Sequence, residues 1–265
     1  MRKSIIKIRD MSFKYENKVV FDNLDFDIYE GEFTVIAGKS CSGKSTFAKI
    51  LSGYYRADGY VNVYGYLLND YFLYKILRNF SVCMDNNLFD YVRSCLAFPL
   101  EGLQYSKNEI DVVVDRISKE FKLEKILDKS FDEITLSERS RVFIASSLIY
   151  NPKIILIDDD VFMNLSFDDR EFVVKILKEY QKKGLTIILL TKNLEDTLLG
   201  DRVIVFNDGK VFAEGKLKDI YKDDALEEIG FELPFIVKLS HNLMLYDLLD
   251  KTYFTEKGVM DKLWL

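Results

Sequence analysis

The sequence predicts an α/β fold with a parallel sheet at its core, and three features of the chain lead to this prediction. Short apolar runs of strand type, such as residues 154–157 and 186–191, alternate with stretches of helical spacing, which is the pattern of a parallel sheet covered by helices. The N-terminal stretch 4–36 alternates apolar and polar residues between short turns, as in an antiparallel sheet. Over residues 33–53, an apolar run leads into a glycine-rich turn and then a helical pattern.

Composition narrows the class of protein. The chain has 265 residues, of which 48% are hydrophobic and 30% charged, as expected for one large globular domain or one domain with an appendage. The net charge of −6 argues against a nucleic-acid partner, and three cysteines without paired spacing favour reduced thiols in the cytoplasm. No apolar run reaches the length of about 18 residues that a membrane-spanning helix needs. We therefore expect no direct membrane insertion.

The elements follow from local patterns along the chain. Residues 54–82 are rich in tyrosine, with turn signals at Asp58-Gly59 and Asn69-Asp70, and we expect these tyrosines to pack on a half-buried sheet. Helical spacing dominates from residue 90 to residue 145. One apolar stripe of this stretch is formed by Ile110, Val113, Val114, Ile117 and Phe121.

The second half alternates strands with helices. Asn151-Pro152 breaks the chain before the apolar run IILIDD, and a helix is predicted from Asp169 to Lys182. A buried strand, TIILLT, comes next, and Asp208-Gly209 joins the last two strands as a hairpin. Strands that alternate with helices predict a parallel core sheet.

The tail has a composition of its own. The charged stretch 216–224 is typical of a linker. Pro234 is expected to start a helix, and a last short helix is expected to follow Thr255 and end at Leu263-Trp264-Leu265. The apolar stripe expected on the first of these helices contains Phe235, Leu239, Leu243 and Tyr246. Two interpretations stay open for this tail, a packed C-terminal cap and a protein interface.

The glycine-rich turn carries the main functional signal. It matches the phosphate-loop pattern G-x-x-x-x-G-K-[ST] without a gap, and a strand, turn and helix in this order aim backbone N–H groups and the helix dipole at one point, which suits a polyphosphate. Lys44 is expected to reach the β- and γ-phosphates and the Ser45 hydroxyl to bind Mg²⁺. The residues of the loop expected to bind ATP are Gly38, Lys39, Ser40, Cys41, Ser42, Gly43, Lys44, Ser45 and Thr46. The sequence therefore predicts a nucleotide-binding protein.

Two longer runs resemble a known family. The run TIILLTKNLEDTLLGDRVIVFNDGKVFAEG is similar to the last core segment of ABC (ATP-binding cassette) transporter ATPases, and VRSCLAFPLEGL resembles a stretch of the energy-coupling factor and cobalt-type importer branch. The resemblance covers nearly the whole chain. It implies a P-loop NTPase fold with a RecA-like parallel-sheet core, an N-terminal antiparallel β subdomain, a helical subdomain and a short C-terminal helical extension. The implied bounds are 1–218 for the ATPase domain, about 86–146 for its helical subdomain and 219–265 for the extension.

The resemblance also implies roles for individual residues. Tyr15 occupies the position of the aromatic residue that stacks on adenine; the alternative is a strand tyrosine in the core. Asp158, which ends an apolar strand, matches the acid that holds Mg²⁺ through water.

Three positions near the expected γ-phosphate depart from the family pattern. Asp159 stands where the family has the glutamate that polarises the attacking water, and it is shorter by one methylene. Lys192 replaces the switch histidine, and a lysine holds phosphate by charge without serving as a neutral acceptor. Asp85 replaces the glutamine of the Q-loop, where its carboxylate remains a candidate ligand for Mg²⁺.

The signature motif departs further. The family reads L-S-G-G-Q before a helix, whereas this chain reads Leu136-Ser137-Glu138-Arg139, without either glycine. In a head-to-tail dimer of the family, this helix N-terminus faces the nucleotide of the partner ATPase. Ser137 is expected to serve as helix cap and as donor to that nucleotide. Glu138 would place a carboxylate where an anion should bind.

Three functions remain open at this stage. The resemblance favours the ATP-binding subunit of an importer for a vitamin or metal ion, with ATP and Mg²⁺ as cofactors and poor hydrolysis at its own site. The implied partners are a second, paralogous ABC ATPase, which would form a heterodimer with this chain, and transmembrane subunits. Short helices of the transmembrane subunits would enter a groove between Asp85 and the helical segment after Asp90 and would hold the chain on the cytoplasmic face of the membrane. The alternatives are a nucleotide-binding pseudo-ATPase that acts as scaffold or regulator, and a P-loop ATPase outside transport.

Overall fold

The computed structural model describes residues 3–85, 88–223 and 225–264. Its strands are β1 (Ser4–Tyr15), β2 (Lys18–Tyr29), β3 (Phe33–Gly38), β4 (Asp58–Val63), β5 (Tyr66–Leu67), β6 (Phe80–Cys83), β7 (Ile154–Ile157), β8 (Thr186–Thr191), β9 (Arg202–Asn207) and β10 (Lys210–Gly215). Its α-helices are α1 (Lys44–Leu51), α2 (Asp70–Leu77), α3 (Val92–Gly102), α4 (Lys107–Glu120), α5 (Leu136–Leu148), α6 (Asp159–Met163), α7 (Phe167–Lys182), α8 (Leu217–Ile220), α9 (Ala225–Glu228), α10 (Phe235–Leu245) and α11 (Glu256–Leu263). Short 3₁₀ turns lie at Phe131–Glu133 and Leu194–Leu199.

The central sheet confirms the predicted parallel core. Its strand order is β10-β9-β3-β8-β7-β6. The pairs β9–β3, β3–β8, β8–β7 and β7–β6 are parallel, while β10 joins β9 as an antiparallel hairpin. The strands β3, β7 and β8 are buried along their whole length, which explains their continuous apolar sequence. Their carboxyl ends lie at one edge of the sheet, where ligands of open α/β sheets bind.

A second, antiparallel sheet forms the N-terminal subdomain. Its strand order is β2-β1-β4-β5, and β1 pairs with both β2 and β4. The rings of Phe26, Phe47 and Phe206 contact one another with centroid distances of 5.6 to 5.8 Å. Since these residues belong to β2, α1 and β9, this aromatic cluster fixes the antiparallel sheet against the phosphate-loop helix and the central sheet.

The prediction for the tyrosine-rich stretch is partly wrong. Tyr71 and Tyr74 lie on α2, not on a sheet, and both side chains are exposed. The helix begins there because the Asn69 side chain accepts a hydrogen bond from the N–H of Phe72 at 3.0 Å. Asn69-Asp70 is therefore a helix start instead of a turn between strands.

The helical subdomain contains α3, α4 and α5. The predicted stripe on α4 is confirmed at Val114, Ile117 and Phe121, which are buried. Capping boxes start both α4, at Ser106, and α5, at Thr135. Residues 86 and 87, where the subdomain was expected to begin, lie outside the described residues.

The C-terminal extension packs on the ATPase core. The prediction of a linker at 216–224 is wrong for its first half, because α8 forms there and Ile220 and Tyr221 are buried. The Tyr221 hydroxyl lies 2.6 Å from the Thr197 hydroxyl of the core. The proposed division after residue 218 thus falls within α8. Asp224 lies outside the described residues.

Both predicted helices of the extension are present, as α10 and α11. The predicted stripe of α10 is wrong at Phe235 and Tyr246, which are 66% and 76% exposed. Its buried face instead includes Ile236 and Val237, about one residue out of phase with the prediction. Thr255 caps α11 as expected, and Leu265 lies outside the described residues. Within the described ranges, no helix combines the length and apolarity needed to cross a bilayer.

Candidate nucleotide-binding site

The predicted strand, turn and helix of the phosphate loop are confirmed as β3, the turn 39–43 and α1. Gly43 precedes α1 with φ of 99°, and a Cβ atom there would lie 2.5 Å from the ring of Phe21. Only glycine fits this conformation and this contact. Among the described residues, no side chain caps the start of α1. The first N–H groups of this helix therefore remain available to an anion.

Lys44 lies buried beneath the loop. Its Nζ donates hydrogen bonds to the carbonyl of Gly38 at 2.7 Å and to that of Lys39 at 3.1 Å. Burial lowers the pKa of the Lys44 ammonium, while the nearby carboxylates of Asp159 and Asp158 oppose that shift. A phosphate oxygen is a stronger acceptor for an ammonium than a carbonyl is, so Lys44 is placed to exchange these contacts for phosphate.

The other loop residues lie as the motif requires. Ser40, Cys41 and Ser45 are exposed, whereas the Ser42 hydroxyl is buried. The Lys39 ammonium points away from the loop and donates to the carbonyl of Ile229 in the extension. The Lys39 side chain thus contacts the C-terminal extension and not the space above the loop.

Asp158 follows β7 at the same edge of the sheet. Its side chain is only 5% exposed, and its Oδ1 atom has no hydrogen-bond partner among the described residues. Burial raises the pKa of this carboxyl. A buried carboxylate oxygen without a partner is costly unless a cation or its water completes it. The residues present therefore fit Mg²⁺, with Asp158 and the Ser45 hydroxyl as its protein contacts.

The described residues contain no group of three or more histidine, cysteine or acidic side chains that could hold a metal ion. This agrees with the chemistry of Mg²⁺, which is usually held by one or two protein groups together with phosphate oxygens and water.

Asp159 and Lys192 meet beside the loop. The N–H of Lys192 donates to Oδ1 of Asp159 at 3.3 Å. Burial raises the pKa of Asp159, and the positive charges of Lys44 and Lys192 oppose the rise. The structure therefore brings together the two altered positions predicted from the sequence, but the short carboxylate is turned towards the backbone of Lys192.

Tyr15 borders the cavity above the loop. Its hydroxyl lies 3.1 Å from the Thr46 hydroxyl, and its ring contacts those of Phe13 and Tyr55 edge to face at 5.0 and 5.3 Å. The side chain is 37% exposed, so the alternative of a core tyrosine is not borne out. A ring face held in this way beside the loop is suited to stacking.

The cavity has a volume of about 520 Å³ and includes walls that the sequence did not reveal. Lys18, Val19 and Val20 of β2 and the Asp208-Gly209 hairpin line it together with the loop. The hairpin was predicted as a turn, but its place at the nucleotide cavity depends on the pairing of β9 with β3. These residues lie outside the loop in sequence, so no local pattern predicts their place beside it.

Asp85 forms an ion pair with Arg139, whose Nη2 lies 2.8 Å from Asp85 Oδ1. The expected role of Asp85 as a Mg²⁺ ligand stays a prediction. The groove expected near this residue coincides with a cavity of about 340 Å³ between the end of β6 and α3, lined in part by Met84, Leu88 and Phe98.

Ser137 is the second residue of α5, which Thr135 caps. Thr135 accepts the hydrogen bond from the N–H of Glu138 at 3.2 Å, and the Glu138 carboxylate accepts one from the N–H of Thr135 at 2.9 Å. The expectation that Ser137 caps α5 is therefore wrong. Its hydroxyl donates to Asp169 at 2.5 Å and accepts from the N–H of Ser166 at 2.8 Å. Its role towards a partner's nucleotide stays a prediction.

Comparison with known proteins agrees with this geometry. The family profile described as "ABC transporter" matches residues 21–161, which cover the phosphate loop, the helical subdomain, Asp158 and Asp159. An energy-coupling factor transporter ATP-binding protein EcfA1 of Mesomycoplasma hyopneumoniae (strain 7448) is 33% identical over 270 residues, covering 98% of this chain and 97% of the relative. The protein of the same name from Bacillus subtilis (strain 168) is 31% identical over 271 residues, with 98% and 96% covered.

A solved structure shares the fold. The cbiO1 protein of Clostridium perfringens, described as part of the ABC transporter complex cbiONQ, superposes with a TM-score of 0.74 at 24% identity, over 91% of this chain and 99% of that one. With the profile match over more than half of the chain and the near full-length relatives, the assignment is clear. The chain belongs to the ABC transporter family of ATP-binding proteins and is similar, within that family, to the ATP-binding proteins of energy-coupling factor transporters.

Proposed function

We propose that the chain is one of two ATPase subunits of an importer, and that it energises the uptake of a small solute, a vitamin or a metal ion, through transmembrane subunits. The observation that carries the proposal is an intact phosphate loop beside Asp158, whose buried Oδ1 has no partner among the described residues, together with altered residues at every position that performs the chemistry. Such a site keeps binding and loses turnover. The names of the near full-length relatives support the transport role.

The residues proposed to bind ATP and Mg²⁺ lie around the phosphate loop. Tyr15 offers its ring to adenine, the N–H groups at the start of α1 and Lys44 hold the phosphates, and Ser45 and Asp158 hold Mg²⁺. When bound, Mg²⁺ would neutralise negative charge on the phosphates. All other contacts to the nucleotide would come from residues that match the family pattern.

The chemical half is weakened at the two positions that lie beside the loop. A general base must lie within hydrogen-bond reach of the water it activates, and this contribution is typically worth a factor of about 10² to 10⁴ in rate. Asp159 is one methylene too short and accepts a hydrogen bond from the N–H of Lys192 at 3.3 Å. Lys192 brings a positive charge but no neutral acceptor. Slow hydrolysis at this site follows.

The partner surfaces follow from the same residues. A homodimer would place two altered signature helices over two altered bases, so its closure would gain little from either nucleotide, whereas a second, intact ATPase would supply a full signature to this chain's loop. The groove beside Phe98, which is 56% exposed, suits the apolar face of a short helix from a membrane subunit. These partners would hold the chain on the cytoplasmic face of the membrane.

A second candidate function is a pseudo-ATPase that acts as scaffold or regulator. The observation in its favour is the Ser137 hydroxyl, which is already engaged by Asp169 and Ser166 within this chain. If the N-terminus of α5 does not contact a partner's phosphate, nucleotide binding would stabilise a structure without contributing to hydrolysis at the partner's site.

Co-purification from the native cell distinguishes the two candidates. We expect the chain to be retained with a paralogous ATPase in a one-to-one ratio and with membrane subunits, and to be mainly monomeric in light scattering when purified alone with MgATP. A variant with Phe98→Asp should lose the membrane subunits and keep the second ATPase, while Tyr71→Asp, on an exposed face away from the groove, serves as the matched control. A stable ATP-induced homodimer, or recovery without membrane subunits, would contradict the importer assignment.

A further inference from the structure

The ion pair between Asp85 and Arg139 joins two parts of the site that lie far apart in sequence. Both Nε and Nη2 of Arg139 donate to Oδ1 of Asp85, at 3.2 and 2.8 Å. The Asp85 side chain is 35% exposed and the Arg139 side chain is 20% exposed, so the pair is less hydrated than an ordinary surface ion pair. Hydrogen bonds between charged groups are shorter and stronger than neutral ones, and an arginine that uses two donors also fixes the direction of the contact.

Aromatic rings hold the guanidinium in place. Its carbon lies 5.3 Å from the centroid of the Phe131 ring and 5.4 Å from that of the Phe143 ring. These two rings stack on each other with their centroids 5.5 Å apart and their planes 15° apart. A planar guanidinium within about 6 Å of a ring is attracted to it, and both rings belong to the helical subdomain. Arg139 thus packs against two residues of that subdomain.

Asp85 is linked on its other side to the metal-binding end of the sheet. Cys83, at the end of β6, pairs with Ile157 of β7, and its carbonyl accepts a hydrogen bond from the N–H of Asp158 at 2.9 Å. Asp85 lies two residues beyond Cys83. The backbone of Asp158 is therefore hydrogen-bonded to the segment that carries Asp85.

Arg139 stands in the first turn of α5, next to the residues that begin this helix. Its neighbour Ser137 contacts Asp169 and Ser166, so the N-terminus of α5 is tied to the start of α7. The contacts form one continuous path from Asp158 through Cys83, Asp85 and Arg139 to the start of α5. Such contacts couple Asp158 to the start of α5 only if a change at one residue alters the others.

We propose that Asp85 and Arg139 are a positioning pair that sets the orientation of the N-terminus of α5 relative to the phosphate loop, and that Asp85 acts through Arg139 and not as a ligand of Mg²⁺. The proposal rests on the proposed function for the nucleotide and for the partner that faces α5. The ion pair itself is tested without either.

The first test is hydrogen exchange of the nucleotide-free chain. Asp85→Asn and Arg139→Met should each raise amide exchange in residues 136–143 by about fivefold, and the double variant should add little, because residues in direct contact couple. The reversed pair, Asp85→Arg with Arg139→Asp, should recover at least part of the protection. Asp128→Asn, which breaks an exposed ion pair with Arg93 in the same subdomain, is the matched control and should leave this segment unchanged. Additive effects of the two single variants would overturn the pair.

The second test separates positioning from metal binding. The Mg²⁺ concentration that gives half of the ATP-induced rise in melting temperature should change less than about twofold in Asp85→Asn, because mass action links this value to metal affinity. A shift of about tenfold or more in Asp85→Asn, absent in Arg139→Met, would assign Asp85 to the metal and overturn the proposal. If ATP has no effect on the wild-type chain, the proposed function fails, while the exchange experiment still decides whether the pair exists.

Discussion

Replacing Asp159 with Glu and Lys192 with His together will raise ATP hydrolysis by the mixed dimer by about 10²-fold, the lower end of what a placed general base contributes. The glutamate restores the missing methylene, and the imidazole removes the positive charge of Lys192 and supplies a neutral acceptor. Both changes are made because the two side chains supply different groups, a carboxylate within reach of the water and a neutral acceptor beside it. Asp159→Glu alone will not rescue the isolated chain, which has no intact signature helix opposite its loop.

Steady-state phosphate release measures this effect, with the second ATPase inactivated so that only this chain's site turns over. Asp160→Glu is the matched control, because it makes the same change one residue away on an exposed side chain. It should leave the rate unchanged. An equal gain from Asp160→Glu, or no gain from the double variant, would show that residues 159 and 192 do not limit the rate.

Lys44→Ala will abolish the stabilisation of the chain by ATP. A ligand that binds only the folded state at about 100 times its dissociation constant adds about 2.7 kcal/mol, which for a chain of this size corresponds to a rise in melting temperature of roughly 5 to 10 °C. Lys44 supplies the buried ammonium that now donates to the carbonyls of Gly38 and Lys39. Without it, the phosphates lose the buried ammonium beneath the loop.

The comparison uses differential scanning fluorimetry with MgATP at millimolar concentration. Lys49→Ala, in the last turn of the same helix, is the control and should keep the full rise. An unchanged melting curve of the wild-type chain would remove the nucleotide assignment altogether. An undiminished rise in Lys44→Ala would place the nucleotide elsewhere.

The parts of the site that local sequence determines could be predicted. The phosphate loop, with its strand before and its helix after, is contiguous, and glycine at residue 43 is required by a local φ of 99°. The place of Asp158 at the end of a wholly apolar strand is also local, but its expected role with Mg²⁺ came from the resemblance to ABC ATPases and stays a prediction.

The parts that depend on side chains meeting across the fold could not be predicted in the same way. Arg139 lies 54 residues from Asp85, and no local pattern pairs them. Tyr71 and Tyr74 were assigned to a sheet by composition, although the Asn69 cap starts a helix there. The capping box formed by Thr135 and Glu138 follows a sequence pattern, whereas the resemblance to the family's signature motif led to Ser137 as the expected cap.

The fate of ATP bound to the unmodified chain tests the central claim most directly. The purified chain is mixed with MgATP labelled at the γ-phosphate, and samples are quenched over time and analysed for bound ATP, ADP and free phosphate. The account predicts about one ATP bound per chain, lost in Lys44→Ala, and still present as ATP after many minutes. Failure to retain any nucleotide, or release of phosphate at an ordinary enzyme rate of about 10 per second, would contradict a subunit that binds ATP well and hydrolyses it poorly.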